Sequence, residues 1–139
     1  MSDDQRPVGF TKDVGWEIGV RKTFAATPAQ AWETLMSDVG VKLWLGDSED
    51  LRWQEGAQYH THNAEGEIRV FNPGGHLRMT WQPKELEKAS TIQVRVTPSG
   101  SNTVISFHQE NLSSEQEREA MRDRWQGVLD GLESLIERD

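Results

Sequence analysis

The sequence contains no cysteine, and this absence excludes several kinds of chemistry at once. Without thiols the chain cannot form a disulfide framework, a thiolate metal site or a cysteine nucleophile. A secretory leader is not indicated either, because residues 1–13 are polar and have no apolar core. We therefore predict a cytoplasmic protein.

Long hydrophobic runs are also missing, since no stretch approaches the ~20 apolar residues that a membrane span needs. Positive charge is scarce: 15 Lys and Arg stand against 23 Asp and Glu, which gives a formal charge of −8. A field of that sign repels phosphate backbones and anionic lipids, so we expect neither nucleic acid nor a membrane as a partner. A small organic ligand or a locally basic protein remains compatible with it.

Two common catalytic and nucleotide-binding motifs are absent. The sequence has no G-x-S-x-G elbow of the serine hydrolases. Gly74 and Gly75 follow Pro73 without a Walker or dinucleotide pattern, so they indicate an ordinary hairpin turn. We expect no phosphate-binding cofactor, and we assign no cofactor of any kind.

What the chain does contain is enough apolar material for one domain. Its 139 residues match the usual size of a single domain, and six Trp and four Phe supply large apolar side chains. Turn residues are frequent, but no linker or internal repeat divides the chain. We predict a flexible lead-in over residues 1–13 and a single domain over residues 14–139.

The first elements of that domain are a strand and a short helix. Residues 14–24 alternate between apolar and polar side chains, which predicts a half-buried strand. Thr27 then provides a helix cap, Pro28 suits the first helical position, and Gln30 completes a capping box. This helix is expected to end near Ser37.

The middle of the chain is read mostly as strands. Residues 38–46 are apolar but too short to assign, and a short helix and an apolar loop both remain open. From residue 51 to 110, turn-forming residues at roughly ten-residue spacing predict an antiparallel meander. The expected breaks are 55–56, 63–66, 72–75, 82–83 and 98–102. The clearest strands are 67–71, 76–81, 91–97 and 103–109.

A long amphipathic helix is predicted over residues 114–137. Ser114 and Glu117 form a capping box, and acidic side chains favour the first turn. Apolar side chains then follow at three- and four-residue steps. These are Met121, Trp125, Val128, Leu129, Leu132, Leu135 and Ile136.

This order of elements favours an α+β helix-grip fold. A sheet with one apolar face needs a cover, and the C-terminal helix has the only long apolar stripe. We therefore expect a curved antiparallel sheet wrapped around the long C-terminal helix. One or two short helices should follow the first strand. Trp125 and Leu132 should be nearly fully buried.

A family resemblance rests on short stretches spread over residues 16–136. They are Phe24, Thr27-Pro28, Ala31-Trp32 and Leu35; Trp44-Leu45-Gly46; Gly66-Glu67-Ile68-Arg69-Val70; Leu77-Arg78-Met79-Thr80-Trp81; Phe107-His108-Gln109-Glu110-Asn111-Leu112; and Arg118, Met121, Trp125, Leu129 and Leu132. In order and spacing they resemble the Hsp90-ATPase-activator-homologue branch of the START-like (SRPBCC) superfamily.

That resemblance implies a cavity between the long helix and the concave sheet. In such domains the cavity serves hydrophobic ligands and sometimes cyclase or hydrolase chemistry. Our leading hypothesis is a module that binds a hydrophobic or amphipathic small molecule, without catalysis. A chaperone-associated interaction protein is the second hypothesis, and an enzyme of the cyclase or hydrolase kind is the third.

Two pairs of side chains could carry chemistry, but the strand register argues against both. His60 and His62 could serve a metal, but the preferred strand register turns them to water and Tyr59 inward, so no metal site is assigned. His108 and Glu110 could act as base and orienting acid. The more apolar register places both of them on the outside of the sheet, so no catalytic residue is assigned.

The candidate ligand-binding residues are mainly aromatic. Flat rings with few polar groups suit an apolar pocket, although a filled aromatic core is an equally open interpretation. Gln109 and the Tyr59 hydroxyl would orient the ligand. Residues 38–46 and the N-terminal half of the long helix would form a movable mouth. The candidates are Trp16, Trp44, Tyr59, Met79, Trp81, Phe107, Gln109, Met121 and Trp125.

Overall fold

The computed structural model describes residues 10–11 and 15–138. Its elements are β1 (Phe10–Thr11), β2 (Gly15–Phe24), α1 (Pro28–Met36), α2 (Asp38–Trp44), β3 (Gln58–His60), β4 (Ala64–Asn72), β5 (His76–Pro83), β6 (Ser90–Ser99), β7 (Asn102–Leu112) and α3 (Glu115–Arg138). The predicted lead-in lies mostly outside the described residues. Within it, β1 is a strand that the sequence pattern did not indicate.

The described strands form one seven-stranded sheet in the order β1-β2-β7-β6-β5-β4-β3, and every pairing is antiparallel. α3 packs on the apolar face of the sheet, with Trp125 and Leu132 almost without solvent exposure. At the edge of this contact, the Lys22 ammonium on β2 lies 2.9 Å from Asp130 and 3.1 Å from Glu133 on α3. The helix-grip fold predicted from the sequence is confirmed.

The two-residue period of the strands decides which side chains meet α3. In β7, Thr103, Ile105, Phe107 and Gln109 are buried, while the residues between them are half-buried on the outer face. The same alternation runs through β5 and β6. His108 and Glu110 therefore lie on the outer face, as the apolar register predicted.

Side-chain caps explain where the helices begin. Thr27 and Gln30 form the predicted capping box of α1. The Ser37 hydroxyl accepts the Gly40 N–H at 3.0 Å, and this cap starts α2 in the segment that the sequence left open. Ser114 accepts the Glu117 N–H at the start of α3. Residues 38–46 thus contain a short helix.

The predicted break at 63–66 is wrong in its position. The chain turns earlier, where the Thr61 N–H donates to the Ala64 carbonyl at 2.8 Å, and β4 already begins at Ala64. Gly66 lies inside β4 and not in a turn. A Cβ at this position would be 1.9 Å from the Thr80 carbonyl oxygen and 2.6 Å from the Tyr59 hydroxyl. Glycine is needed here because neighbouring strands approach closely, and a sequence pattern cannot distinguish this reason from a turn. The break expected at 82–83 is also displaced, since β5 continues to Pro83.

Candidate functional site

The end of α2, the N-terminal half of α3 and the end of β5 meet at one place, which we call the mouth. It is formed by Trp44, Trp81, Met121, Arg124 and Trp125. The α3 residues share one face because they are three or four positions apart. Met121 and Arg124 are half-buried, whereas the three tryptophans are buried. The mouth therefore combines three buried rings with two half-buried side chains of α3.

Starting at the mouth, six aromatic rings form a continuous chain of contacts through the protein. Neighbouring ring centroids lie between 4.6 and 6.0 Å apart, within the range of favourable aromatic pairs. Trp53, on the segment between α2 and β3, stacks on two of these rings and is half-buried. In order, the rings are Trp32, Phe71, Trp53, Trp44, Phe107 and Trp125.

The buried polar side chains of Gln109 and Ser90, next to these rings, have hydrogen-bond partners within the protein. Gln109 accepts the Trp125 indole N–H at 2.9 Å and donates to the Ser90 hydroxyl at 2.7 Å. Ser90 in turn donates to the Trp81 carbonyl at 3.2 Å. Because each member has a partner, this network stabilises the closed core rather than leaving a free polar group for a ligand.

Tyr59 is fully buried below the mouth and its hydroxyl is also engaged. The hydroxyl donates to the Thr80 carbonyl at 2.6 Å. Burial raises the pKa of Tyr59 well above its usual range, and the charge of nearby Arg124 acts weakly in the opposite direction. The phenol is therefore protonated under all ordinary conditions.

Arg124 is the one charged side chain of the mouth, and the sequence analysis did not identify it. Its guanidinium lies over the Trp81 ring at 5.2 Å and over the Trp125 ring at 5.3 Å from each centroid. Nη2 donates to the Trp44 carbonyl at 3.0 Å, which joins α3 to the end of α2. Nε is buried and has no hydrogen-bond partner among the described residues.

The environment of Arg124 is poor in compensating charge. Burial lowers the pKa of Arg124, and within the part of the chain that the structure describes no carboxylate forms an ion pair with it. The sequence did carry a signal for this residue. Position 124 follows Met121 by three and precedes Val128 by four, so it places a cation on the apolar stripe of the helix.

The nine predicted ligand-binding residues fall into two groups by burial. Trp44, Tyr59, Met79, Trp81, Phe107, Gln109 and Trp125 are buried, while Trp16 and Met121 are half-buried. Trp44, Trp81, Met121 and Trp125 are brought together at the mouth. Tyr59, Met79, Phe107 and Gln109 belong to the core, and Trp16 lies at the same end of the sheet as Trp81 with β7 and β6 between them.

Three of the four side chains proposed for metal or acid–base chemistry, His60, His108 and Glu110, have other partners. His60 Nδ1 lies 2.7 Å from Asp50 Oδ2 on the surface. The described residues include no group of three or more His, Asp or Glu side chains arranged to hold a metal ion. His108 contacts Glu17 at 2.8 Å, whereas Glu110 pairs with Arg78. The structure thus does not bring His108 and Glu110 together as an acid–base pair.

Comparison with known proteins agrees with this fold. A family model described as Activator of Hsp90 ATPase homolog 1-like protein matches residues 25–137, which is more than half of the chain. A search of curated protein sequences finds no match. None of the helices described in the structure is long and apolar enough to cross a lipid bilayer.

Several solved structures share the fold. CalU16 from Micromonospora echinospora has a TM-score of 0.75 at 25% identity, covering 88% of this chain and 78% of CalU16. Protein CV1439 from Chromobacterium violaceum has a TM-score of 0.76 at 18% identity, covering 88% and 98%. The Aha1 protein from Colwellia psychrerythraea, solved as a dimer, has a TM-score of 0.70 at 16% identity, covering 86% and 95%.

Proposed function

Because this chain belongs to the family of Activator of Hsp90 ATPase homolog 1-like proteins, we propose that it binds a hydrophobic or amphipathic small molecule between α3 and the sheet. The mouth is the proposed place of entry and contact. The observation that carries the proposal is that Arg124 lies over the Trp81 and Trp125 rings there, one helical turn from the half-buried Met121. Two aromatic faces beside an adaptable methionine make a suitable wall for an apolar molecule.

The mouth also has a simple way to open. α2 is seven residues long, and its last residue is tied to α3 by the hydrogen bond from Arg124 to the Trp44 carbonyl. Short helices gain little stability from their own backbone, so their position depends on such tertiary contacts. Displacing α2 would expose the ring of Trp44 and the aromatic chain behind it. Access therefore requires a local movement rather than unfolding of the sheet.

The satisfied interior favours an apolar body for the ligand. Gln109 already bonds Trp125 and Ser90, and Tyr59 already bonds Thr80, so a ligand gains from them only by exchanging one partner for another. We keep all nine sequence-predicted residues as the proposed lining. Trp44, Trp81, Met121 and Trp125, at the mouth, are assigned the direct contacts. The supporting wall is assigned to Trp16, Tyr59, Met79, Phe107 and Gln109.

Thermal stability of the protein with and without phenylnaphthylamine, a neutral aromatic probe, tests the proposal. Binding to the native state alone adds about 2.7 kcal/mol at a hundredfold excess over the Kd, so the melting temperature should rise. Met121→Trp should fill the mouth and abolish the rise. Ala120→Trp adds the same side chain at the neighbouring exposed position and should leave the rise intact. No shift in the wild-type protein, across this and other apolar probes, would refute small-molecule binding.

A second candidate function, a protein-interaction role with Hsp90, is favoured by a different surface. A groove of about 550 Å³ lies between α1, α2 and the end of α3, with Leu135 and Ile136 in its wall. Val39, which also lines it, is 61% exposed and adds to the apolar surface that a partner could cover. Stimulation of Hsp90 ATP turnover, lost in Val39→Asp and insensitive to small molecules, would support this alternative.

Three further expectations from the sequence stay predictions. These are the cytoplasmic location, the absence of a cofactor and the absence of catalysis. The outward position of His108 beside Glu17 offers no nucleophile and no enclosed space for a reaction. No residue is therefore assigned a catalytic role in the proposal.

A further inference from the structure

We infer that the small molecule bound at the mouth carries a carboxylate or a similar anionic oxygen group, and that Arg124 binds this group. The inference rests on the proposed function and narrows it to amphipathic anions. It follows from three properties of Arg124: its unused donors, its missing counter-ion and its aromatic surroundings.

The first property is the number of unused donors. A guanidinium presents five N–H donors, and the only acceptor that Arg124 contacts among the described residues is the Trp44 carbonyl. A role as cap for the C-terminal end of α2 accounts for that single bond. It leaves Nε, which is buried, without an acceptor. Buried donors normally have a partner, and an acceptor oxygen from outside the described residues would supply one.

The second property is the missing counter-ion. Three described arginines are half-buried: Arg78, Arg118 and Arg124. Arg78 lies 2.8 Å from Glu110, and Arg118 lies 2.8 Å from Glu119, but Arg124 pairs with no carboxylate in the described part of the chain. This happens in a protein with a net charge of −8, where acidic side chains are plentiful. Arg124 is the exception among the three, and an anionic ligand would supply its missing counter-ion.

The third property is the orientation given by the rings. Trp81 and Trp125 hold the guanidinium by cation–π contacts, at 5.2 and 5.3 Å from the ring centroids. These contacts stabilise the cation without neutralising its charge. A planar guanidinium in such a frame suits bidentate binding of a carboxylate or sulfonate. The apolar part of the same molecule would then lie against Met121 and the tryptophan rings.

The protonation behaviour of Arg124 agrees with this picture. Burial lowers its pKa, because the cation loses hydration in the folded protein. An anion at Nε would compensate for the lost hydration and raise that pKa again. An anion beside a fully exposed arginine would be bound much less strongly, because solvent screens the attraction between the two charges.

Two probes with the same aromatic body and different charge test the inference. Anilinonaphthalene sulfonate is an anion, whereas phenylnaphthylamine lacks the sulfonate, and fluorescence titration gives a Kd for each. Hydrogen bonds to charged groups favour the anion, so wild-type protein should bind the sulfonate about tenfold more tightly or better. Arg124→Gln should bring the ratio of the two Kd values close to one, whatever its effect on the Kd for phenylnaphthylamine alone, because the donors to the sulfonate are lost. Arg122→Gln removes an exposed positive charge from the same helix and should keep the preference.

The possible results distinguish the role of Arg124 from small-molecule binding itself. Equal affinity of the wild-type protein for both probes, or a preference that persists in Arg124→Gln, overturns the role of Arg124 but leaves small-molecule binding intact. Absence of binding by either probe overturns the proposed function, and this inference with it. If Arg124→Gln fails to fold, Arg124→Lys preserves the charge without the planar fork, and an unchanged preference in it would contradict bidentate binding. The wild-type ratio decides the anion preference in every case.

Discussion

The Trp125 indole lies flat on the Phe107 ring, with 4.6 Å between the ring centroids and 8° between the ring planes. This contact joins α3 to the centre of the sheet, and the Trp125 N–H also reaches Gln109 at 2.9 Å. The same pair forms the floor of the mouth. One residue therefore links the stability of the fold to the proposed binding site.

Trp125→Ala should reduce the free energy of unfolding by about 3–5 kcal/mol, because it leaves a large cavity and removes the stacked contact. Trp125→Phe should cost less, since a ring remains while the hydrogen bond to Gln109 is lost. Urea unfolding followed by circular dichroism measures both values. A loss below about 1 kcal/mol for the alanine variant would contradict the burial of this side chain.

Two glycine-to-alanine substitutions should have opposite effects on stability. At Gly66 the new Cβ would collide with the Thr80 carbonyl, so we expect a loss of at least about 2 kcal/mol. At Gly127, inside α3, no atom lies within 4 Å of the new Cβ, and alanine should stabilise the helix by about 0.5–1 kcal/mol. Thermal unfolding of both variants checks the pair. A neutral Gly66→Ala would mean that β4 and β5 do not approach each other as described.

The surface pair of Asp50 and His60 should make stability depend on acid pH. The hydrogen bonds from His60 lower the pKa of Asp50 from 3.8 to about 2. Because the carboxylate is favoured in the folded state, its contribution is complete above 3.8 and is lost as the pH falls through about 2. Wild-type protein should be more stable than Asp50→Asn at neutral pH.

Urea midpoints measured over this acid range provide the test. The difference between wild type and Asp50→Asn should shrink steadily as the pH falls below 3.8. Asp47→Asn serves as the control, because the Asp47 carboxylate is exposed and comes only within 3.9 Å of Lys42. A difference that does not change with pH would show that Asp50 acts through its shape and not its charge.

Much of the fold followed from local patterns. The caps at Thr27 and Ser114 marked helix starts, and the two-residue alternation of β5, β6 and β7 marked the face that meets α3. The long apolar stripe of α3 then required a sheet to cover it. These signals are local in sequence, and they predicted the arrangement because the helix-grip satisfies all of them at once.

What sequence could not supply were contacts between distant segments. Gly66 resembled a turn residue, because its reason for being glycine is Thr80 on the next strand. Arg124 was passed over for a related reason. Its partner Trp44 is 80 positions away, and only the folded chain shows that no carboxylate reaches it among the described residues.

The buried candidates for ligand contact illustrate the same limit. Gln109 was expected to point inward, and it does, but its partners Trp125 and Ser90 come from two other elements. Periodicity predicts the face on which a residue lies. It does not predict whether the polar group it carries is already used by the protein.

The indole N–H signals in a nitrogen–proton correlation spectrum test the central claim most directly. Each tryptophan gives one such signal, and Trp81 and Trp125 stand at the mouth while Trp32 packs against Phe71 at the other end of the ring chain. Titration with phenylnaphthylamine should shift the Trp81 and Trp125 signals in a saturable way and leave the Trp32 signal in place. Signals that do not move, or a shift confined to Trp32, would contradict binding at the mouth.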